Sequence, residues 1–238
     1  MTLTHAELGA FLAAISRAGA LAATAPVIGD PGVPLRVRLI AVLAIGGAVG
    51  VNRPGVPLDE LPAVAVLELA VGALTGLAAR FILSRAAVAG QLMGLSLGLG
   101  FASQYDVHAG ESASAVRSLI TAIAGLAFLA GGGLEAIVRS VASPVHAVQL
   151  ALLGPMLMRE GTAALGHGLA LAAPIVLAAL VGNLGLAVMN RAAPAVNVFS
   201  VALAVVLVLG GLALLATSGN LVQGVLGDVR EAIVILAG

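Results

Sequence analysis

Hydrophobic positions along this chain gather into apolar runs near 8–28, 39–51, 61–79, 86–102, 119–138, 141–157, 165–189, 198–216 and 221–237. A helix that crosses a bilayer needs about 20 predominantly apolar residues. The cleanest run, Val198 to Ala216, contains no charge. Leu119 to Val138 is next, loosened by Gly131-Gly132-Gly133 and carrying Glu135 near its end. Leu39 to Val51 is too short to cross at right angles. Polar groups interrupt other runs: Arg17 in the first, Glu68 in the third, Gln91 and Ser96 in the fourth. Such groups are costly beside hydrocarbon and turn towards protein or water. The pattern predicts an all-α integral membrane protein of helical hairpins, with short and interrupted helices, forming one domain over 1–238.

Turn chemistry divides the runs. Gly29-Asp30-Pro31-Gly32-Val33-Pro34 and Asn52-Arg53-Pro54-Gly55-Val56-Pro57 are strong turn signals. Asp59 or Glu60 is placed to cap a helix that starts near Pro62. The longest polar stretch runs from Ser103 to Ser112. The pairs Gly72/Gly76, Gly90/Gly94 and Gly94/Gly98 have the small-xxx-small spacing that lets helix backbones approach. Arginines flank the turns without a consistent side, so they assign no topology.

Composition sharpens the membrane reading. Of 238 residues, 61% are hydrophobic and 9% charged, against roughly 25% charged in soluble domains. The formal net charge is +0 and there is no basic tract, which argues against nucleic acid as a partner. Cysteine is absent, so disulfides, thiolate metal sites and cysteine nucleophiles are excluded. With no Trp and a single Tyr105, the usual interfacial aromatic belt is missing. Shielding by other subunits and simple compositional bias account for this equally well. The first residues carry no basic segment of the kind that opens a cleaved signal, so the first run is expected to be a retained helix.

Little in the chain suggests catalysis. His5, His108, His146 and His167 make no i,i+4 pair of metal-ligand type. Phosphate-binding loops and nucleophile elbows are missing too. The expectation is a non-enzyme with no cofactor and no metal. Three polar constellations remain. Gln91-Leu92-Met93-Gly94-Leu95-Ser96 fits either a pore lining or ordinary helix packing. The stretch 103–117, with Asp106, Glu111 and Arg117, fits a loop beside a channel or a solvated connection. Asn183 and Asn190 lie seven residues apart, about two helical turns, and favour a polar seam against a partner helix. Arg191 beside them fits pairing with a carboxylate or snorkelling to the interface.

Three segments bear a family resemblance. Pro26 with Pro34-Leu35-Arg36-Val37-Arg38-Leu39, Gly90-Gln91-Leu92-Met93-Gly94-Leu95-Ser96 with Phe101-Ala102, and Asn183-Leu184-Gly185-Leu186 through Met189-Asn190-Arg191-Ala192-Ala193-Pro194 to Asn197-Val198-Phe199 resemble the FliR family of flagellar export proteins in order and spacing. Gly98-Leu99-Gly100 and Ala195 depart from the family pattern. The resemblance implies a single-copy subunit of the type III export gate in the bacterial inner membrane, at the flagellar basal body. It implies assembly with FliP-like and FliQ-like subunits, and with a FlhB-like subunit. Unfolded rod, hook and filament subunits would pass through the central channel. On this resemblance Gln91, Leu92, Met93, Leu95 and Ser96 belong to a channel gasket. Gln104, Tyr105, Asp106, His108, Glu111 and Arg117 belong to a plug loop, and Asn183, Asn190, Arg191, Pro194 and Asn197 to a subunit interface. The injectisome counterpart shares the pattern. A rival from another class is a stand-alone small-solute transporter, for which Glu68 is the best ionisable site, though no internal repeat accompanies it.

Overall fold

The computed structural model of the chain describes residues 4–99, 114–143, 147–192 and 198–237. Among them are helices α1 (His5–Thr24), α2 (Leu35–Gly50), α3 (Leu61–Ser96), α4 (Ala115–Ala130), α5 (Gly133–Ala142), α6 (Ala147–Ala192) and α7 (Val198–Ala237), and no strand. The protein is all-α. Among the described residues, four helices are long and apolar enough to cross a membrane: α1, α3, α6 from Gly154 and α7 from Ala204. The α4–α5 pair, bent by 59°, would make a fifth if it counts as one broken span.

Helix ends follow local chemistry. Thr4 opens α1 with a capping box: its hydroxyl accepts from the Glu7 N–H at 3.3 Å, and the Glu7 carboxylate accepts from the Thr4 N–H at 2.7 Å. Helix α3 starts at Leu61, and the carbonyl of Glu60 before it accepts from the Val64 N–H at 3.0 Å. Past Ser96, the Leu99 N–H reaches the Gly94 carbonyl and the Gly98 N–H the Leu95 carbonyl, at 3.0 and 3.1 Å. With Gly98 at φ 74 this is a Schellman stop. So Gly98 ends α3 instead of extending the Gly90/Gly94 stripe.

Several runs that read as separate are single helices. Residues 61–79 and 86–102 largely merge into α3, 165–189 joins the earlier run in α6, and the last two runs form α7. The polar link Thr217-Ser218 that divides the last two turns its hydroxyls back onto the Ala213 and Leu215 carbonyls at 2.7 and 2.8 Å. Thr162 does the same to Met158 within α6. Polar residues that satisfy themselves on the helix do not stop it. The interruption expected at Gly131-Gly132-Gly133 is real, because Gly132 takes φ 90 between α4 and α5.

The chain forms two compact units. One comprises Met1–Leu83, Gly125–Thr162 and Asp228–Gly238; the other comprises Ser84–Ala124 and Ala163–Gly227. In the first, α1 and α2 make an antiparallel hairpin: a Cβ at Gly46 would touch Ile15, and one at Gly50 would touch Phe11. The N-terminal part of α3 runs along α1, with Gly72 facing Arg17 and Gly76 facing Thr24. Leu21, Ile82, Phe128, Ile137, Val229 and Leu236 are among the residues of its core. In the second unit, Met93, Ile120, Ile175, Val206 and Val225 belong to a second core. Where lipid tails are as apolar as the core, close packing and hydrogen bonds, not apolar burial, hold such cores together.

Candidate functional site

The first unit holds a buried charge cluster. Arg17 on α1 is 1% exposed and Glu68 on α3 is 5% exposed. Arg17 Nε bonds Glu68 Oε2. Arg53, from the turn after α2, donates from Nη1 to Glu68 Oε1 at 2.8 Å. Both guanidiniums also serve the end of α5. Arg17 Nη1 donates to the carbonyls of Ser140, at 2.8 Å, and Ser143. Arg53 Nη2 donates to the carbonyls of Val141 and, at 3.1 Å, Ser143.

Arg17 and Glu68 stand out in the sequence as charges inside apolar runs; Arg53 reads only as part of a turn. A signal for the pairing is nonetheless present. Glu68, Gly72 and Gly76 follow at i, i+4 and i+8, so the carboxylate shares a face with the glycine stripe. That stripe lies on α1, where a Cβ at Gly72 would sit 2.6 Å from the Arg17 carbonyl oxygen. The Asn52–Pro57 segment docks beside it, with the Val56 N–H on the Ala6 carbonyl at 2.9 Å.

The second unit contains the 91–96 constellation, at the C-terminal end of α3. Its residues do not act as one surface. Met93 is 0% exposed and sits inside the unit's own core, whereas Leu95 is 51% exposed. Gln91, Leu92 and Ser96 are half-buried. The Ser96 hydroxyl is already donated to the Leu92 carbonyl at 2.8 Å. The Gln91 side-chain oxygen is buried and has no partner among the described residues.

The glycines of this segment seat the start of α4. A Cβ at Gly90 would lie 2.6 Å from Arg117 Cα, and one at Gly94 would lie 2.2 Å from Ser114 Oγ. Ser114 caps α4, accepting from the Arg117 N–H at 3.2 Å, and its hydroxyl lies 3.4 Å from the Gly90 carbonyl. The placement of Arg117 in a loop is therefore corrected. It lies in the first turn of α4, because the Ser114 cap starts the helix there. Gln104, Tyr105, Asp106, His108 and Glu111 lie outside the described residues, as do Pro194 and Asn197.

On α6, Asn183, Asn190 and Arg191 are all exposed, between the exposed aliphatic residues Val181, Leu184 and Val188. The helix runs unbroken from Asn183 to Asn190, so the two amides share a face. Neither amide finds a hydrogen-bond partner among the described residues.

Residues 8–232 match the family of bacterial export proteins, family 1. The chain is 27% identical over 206 residues to the flagellar biosynthetic protein FliR of Escherichia coli K12, covering 80% of this chain and 77% of that one. It is 31% identical over 191 residues to the protein of the same name from Aquifex aeolicus, covering 76% and 74%. With the Caulobacter vibrioides protein of that name it shares 28% over 216 residues, covering 85% of each.

Proposed function

The chain belongs to the bacterial export proteins of family 1, and from that premise we propose that it is a structural and gating subunit of the flagellar type III protein-export channel. The reading places it in the bacterial inner membrane at the flagellar basal body, working as one export-gate domain with FliP-like, FliQ-like and FlhB-like subunits. Unfolded flagellar subunits are its cargo, and it catalyses no reaction. The observation that carries the reading is the match over 8–232, with relatives named as flagellar biosynthetic proteins. The unpartnered amides of α6 support it, since Asn183 and Asn190 on an aliphatic surface gain most from acceptors on a neighbouring subunit. Arg191, Pro194 and Asn197 belong to the same interface in this reading.

Within the gasket, the geometry favours Leu95, with half-buried Leu92, as the group facing the conduit. Met93 supports them from behind. Gln91 offers the N–H groups of its amide, its oxygen being buried, as weak donors to passing cargo, which suits a channel whose contents must both enter and leave. Gln104, Tyr105, Asp106, His108 and Glu111 supply the plug, with Arg117 at its base on α4. A stand-alone carrier would need Glu68 free to take up and release an ion, and both of its oxygens are held by arginines.

The test is co-expression with the FliP-like and FliQ-like subunits, followed by purification in mild detergent. A stoichiometric complex, and restored motility in a strain lacking its own FliR, are expected. A chain that stays alone, and moves a solute into liposomes by itself, overturns the reading.

A further inference from the structure

The charge cluster of the first unit has no part in the export reading, and it is an expensive construction. Each buried ion costs several kcal/mol of desolvation, and a well-packed apolar trio of similar volume is commonly as stable or more so. What an apolar trio lacks is direction. Helix α5 has only 10 residues, too few to hold itself as an isolated helix. It follows a glycine break, so α4 does not fix its heading. Its last turn presents carbonyls that the helix itself leaves unpaired. Those of Ser140, Val141 and Ser143 are taken by Arg17 and Arg53.

Only a guanidinium can bond a carboxylate and carbonyls together from one rigid fork. Glu68 gives one oxygen to each arginine and so aligns the two forks. The cations also sit at the C-terminal, negative end of the α5 dipole. We propose that Arg17, Glu68 and Arg53 form a latch that fixes where α5 lies after the break at Gly131-Gly132. Arg17 and Arg53 hold the helix end; Glu68 is a positioning residue that acts through them.

The chain has no cysteine, so two introduced cysteines can be spin-labelled cleanly in the full chain reconstituted in lipid. Leu12→Cys on α1 with Val138→Cys on α5 reports the latched helix; both positions are exposed. Leu12→Cys with Leu43→Cys reports the α1–α2 hairpin as a control. Arg53→Met is expected to shift or broaden the α1–α5 distance by more than about 5 Å, one helical turn. The α1–α2 distance stays unchanged. Arg53→Lys is expected to do the same, because an ammonium carries its donors on one nitrogen and lacks the planar fork by which Nη1 reaches Glu68 while Nη2 reaches the carbonyls of Val141 and Ser143. Glu68→Gln follows in the same direction. If Arg53→Met instead loses both distances, Arg53→Lys decides, since it keeps the charge. A change confined to α1–α5 in that variant supports the latch. Retention of both distances, or loss of both, overturns it.

Discussion

Two residues of one short segment, Met93 and Leu95, point to opposite fates for a substitution. Met93 fills the core of its own unit, so Met93→Ala is expected to cost about 2–5 kcal/mol by opening a cavity. A lower melting temperature in detergent is the measurement. Leu95 is exposed, so Leu95→Ala should leave melting within about 0.5 kcal/mol of the parent while raising ion leakage through the assembled complex. Unchanged leakage would remove Leu95 from the gasket. The sequence singled out this segment but could not divide it. On a helix, residues 93 and 95 are 200° apart, and which side meets the core depends on where α4 docks. That was legible only through Gly90 and Gly94, whose missing side chains admit Ser114 and Arg117. Arg53 was illegible for a related reason: a turn arginine reveals its target only when the turn folds back onto α1.

At the scale of elements, glycine does two separable jobs. At Gly94 it provides room. Gly94→Ala is expected to destabilise by about 1–3 kcal/mol through overpacking, because the new Cβ meets the Ser114 side chain. Ser114→Gly in the same chain should recover part of the loss, a coupling that a double-mutant melting cycle reads directly. At Gly132 it provides backbone freedom instead. The φ of 90 there costs an L-residue about 1–2 kcal/mol, and Gly132→Ala is expected to lose that much in the same assay without any clash to relieve. The sequence made the α4–α5 break readable because three successive glycines have few other uses inside an apolar run. It misjudged the joins in α3, α6 and α7, where polar residues suggested loops. In α6 and α7 the hydroxyls of Thr162, Thr217 and Ser218 return to their own helix carbonyls, so polarity and helix coexist. The capping box of Thr4 and Glu7 is legible in the letters, a Thr followed three residues later by a Glu.

For the whole molecule, the glycine stripes at 72/76 and 90/94 are occupied by the chain's own α1 and α4. In the proposed reading, recognition of neighbours falls to aliphatic side chains and the amides of α6. Asn183→Leu with Asn190→Leu is expected to leave the melting of the isolated chain unchanged, since both residues are exposed. Recovery of the co-expressed complex should fall severalfold, consistent with about 1–2 kcal/mol for amide bonds between membrane helices. Equal recovery would place the partner elsewhere. Membrane character and all-helical architecture followed from the apolar runs and the composition, whereas the division into two units did not, because each unit is assembled from distant stretches of chain.

The ion cluster also bears on how the protein is made. Arg17 and Glu68 are 51 residues apart, so at ordinary elongation rates the ribosome delivers the cation about 3–10 seconds before its counter-ion. During that interval the nascent first helix carries an unmatched charge that the insertion machinery opposes by about 2.5–3.5 kcal/mol. Its hold on the bilayer is therefore expected to be weakest until the third helix emerges with Glu68.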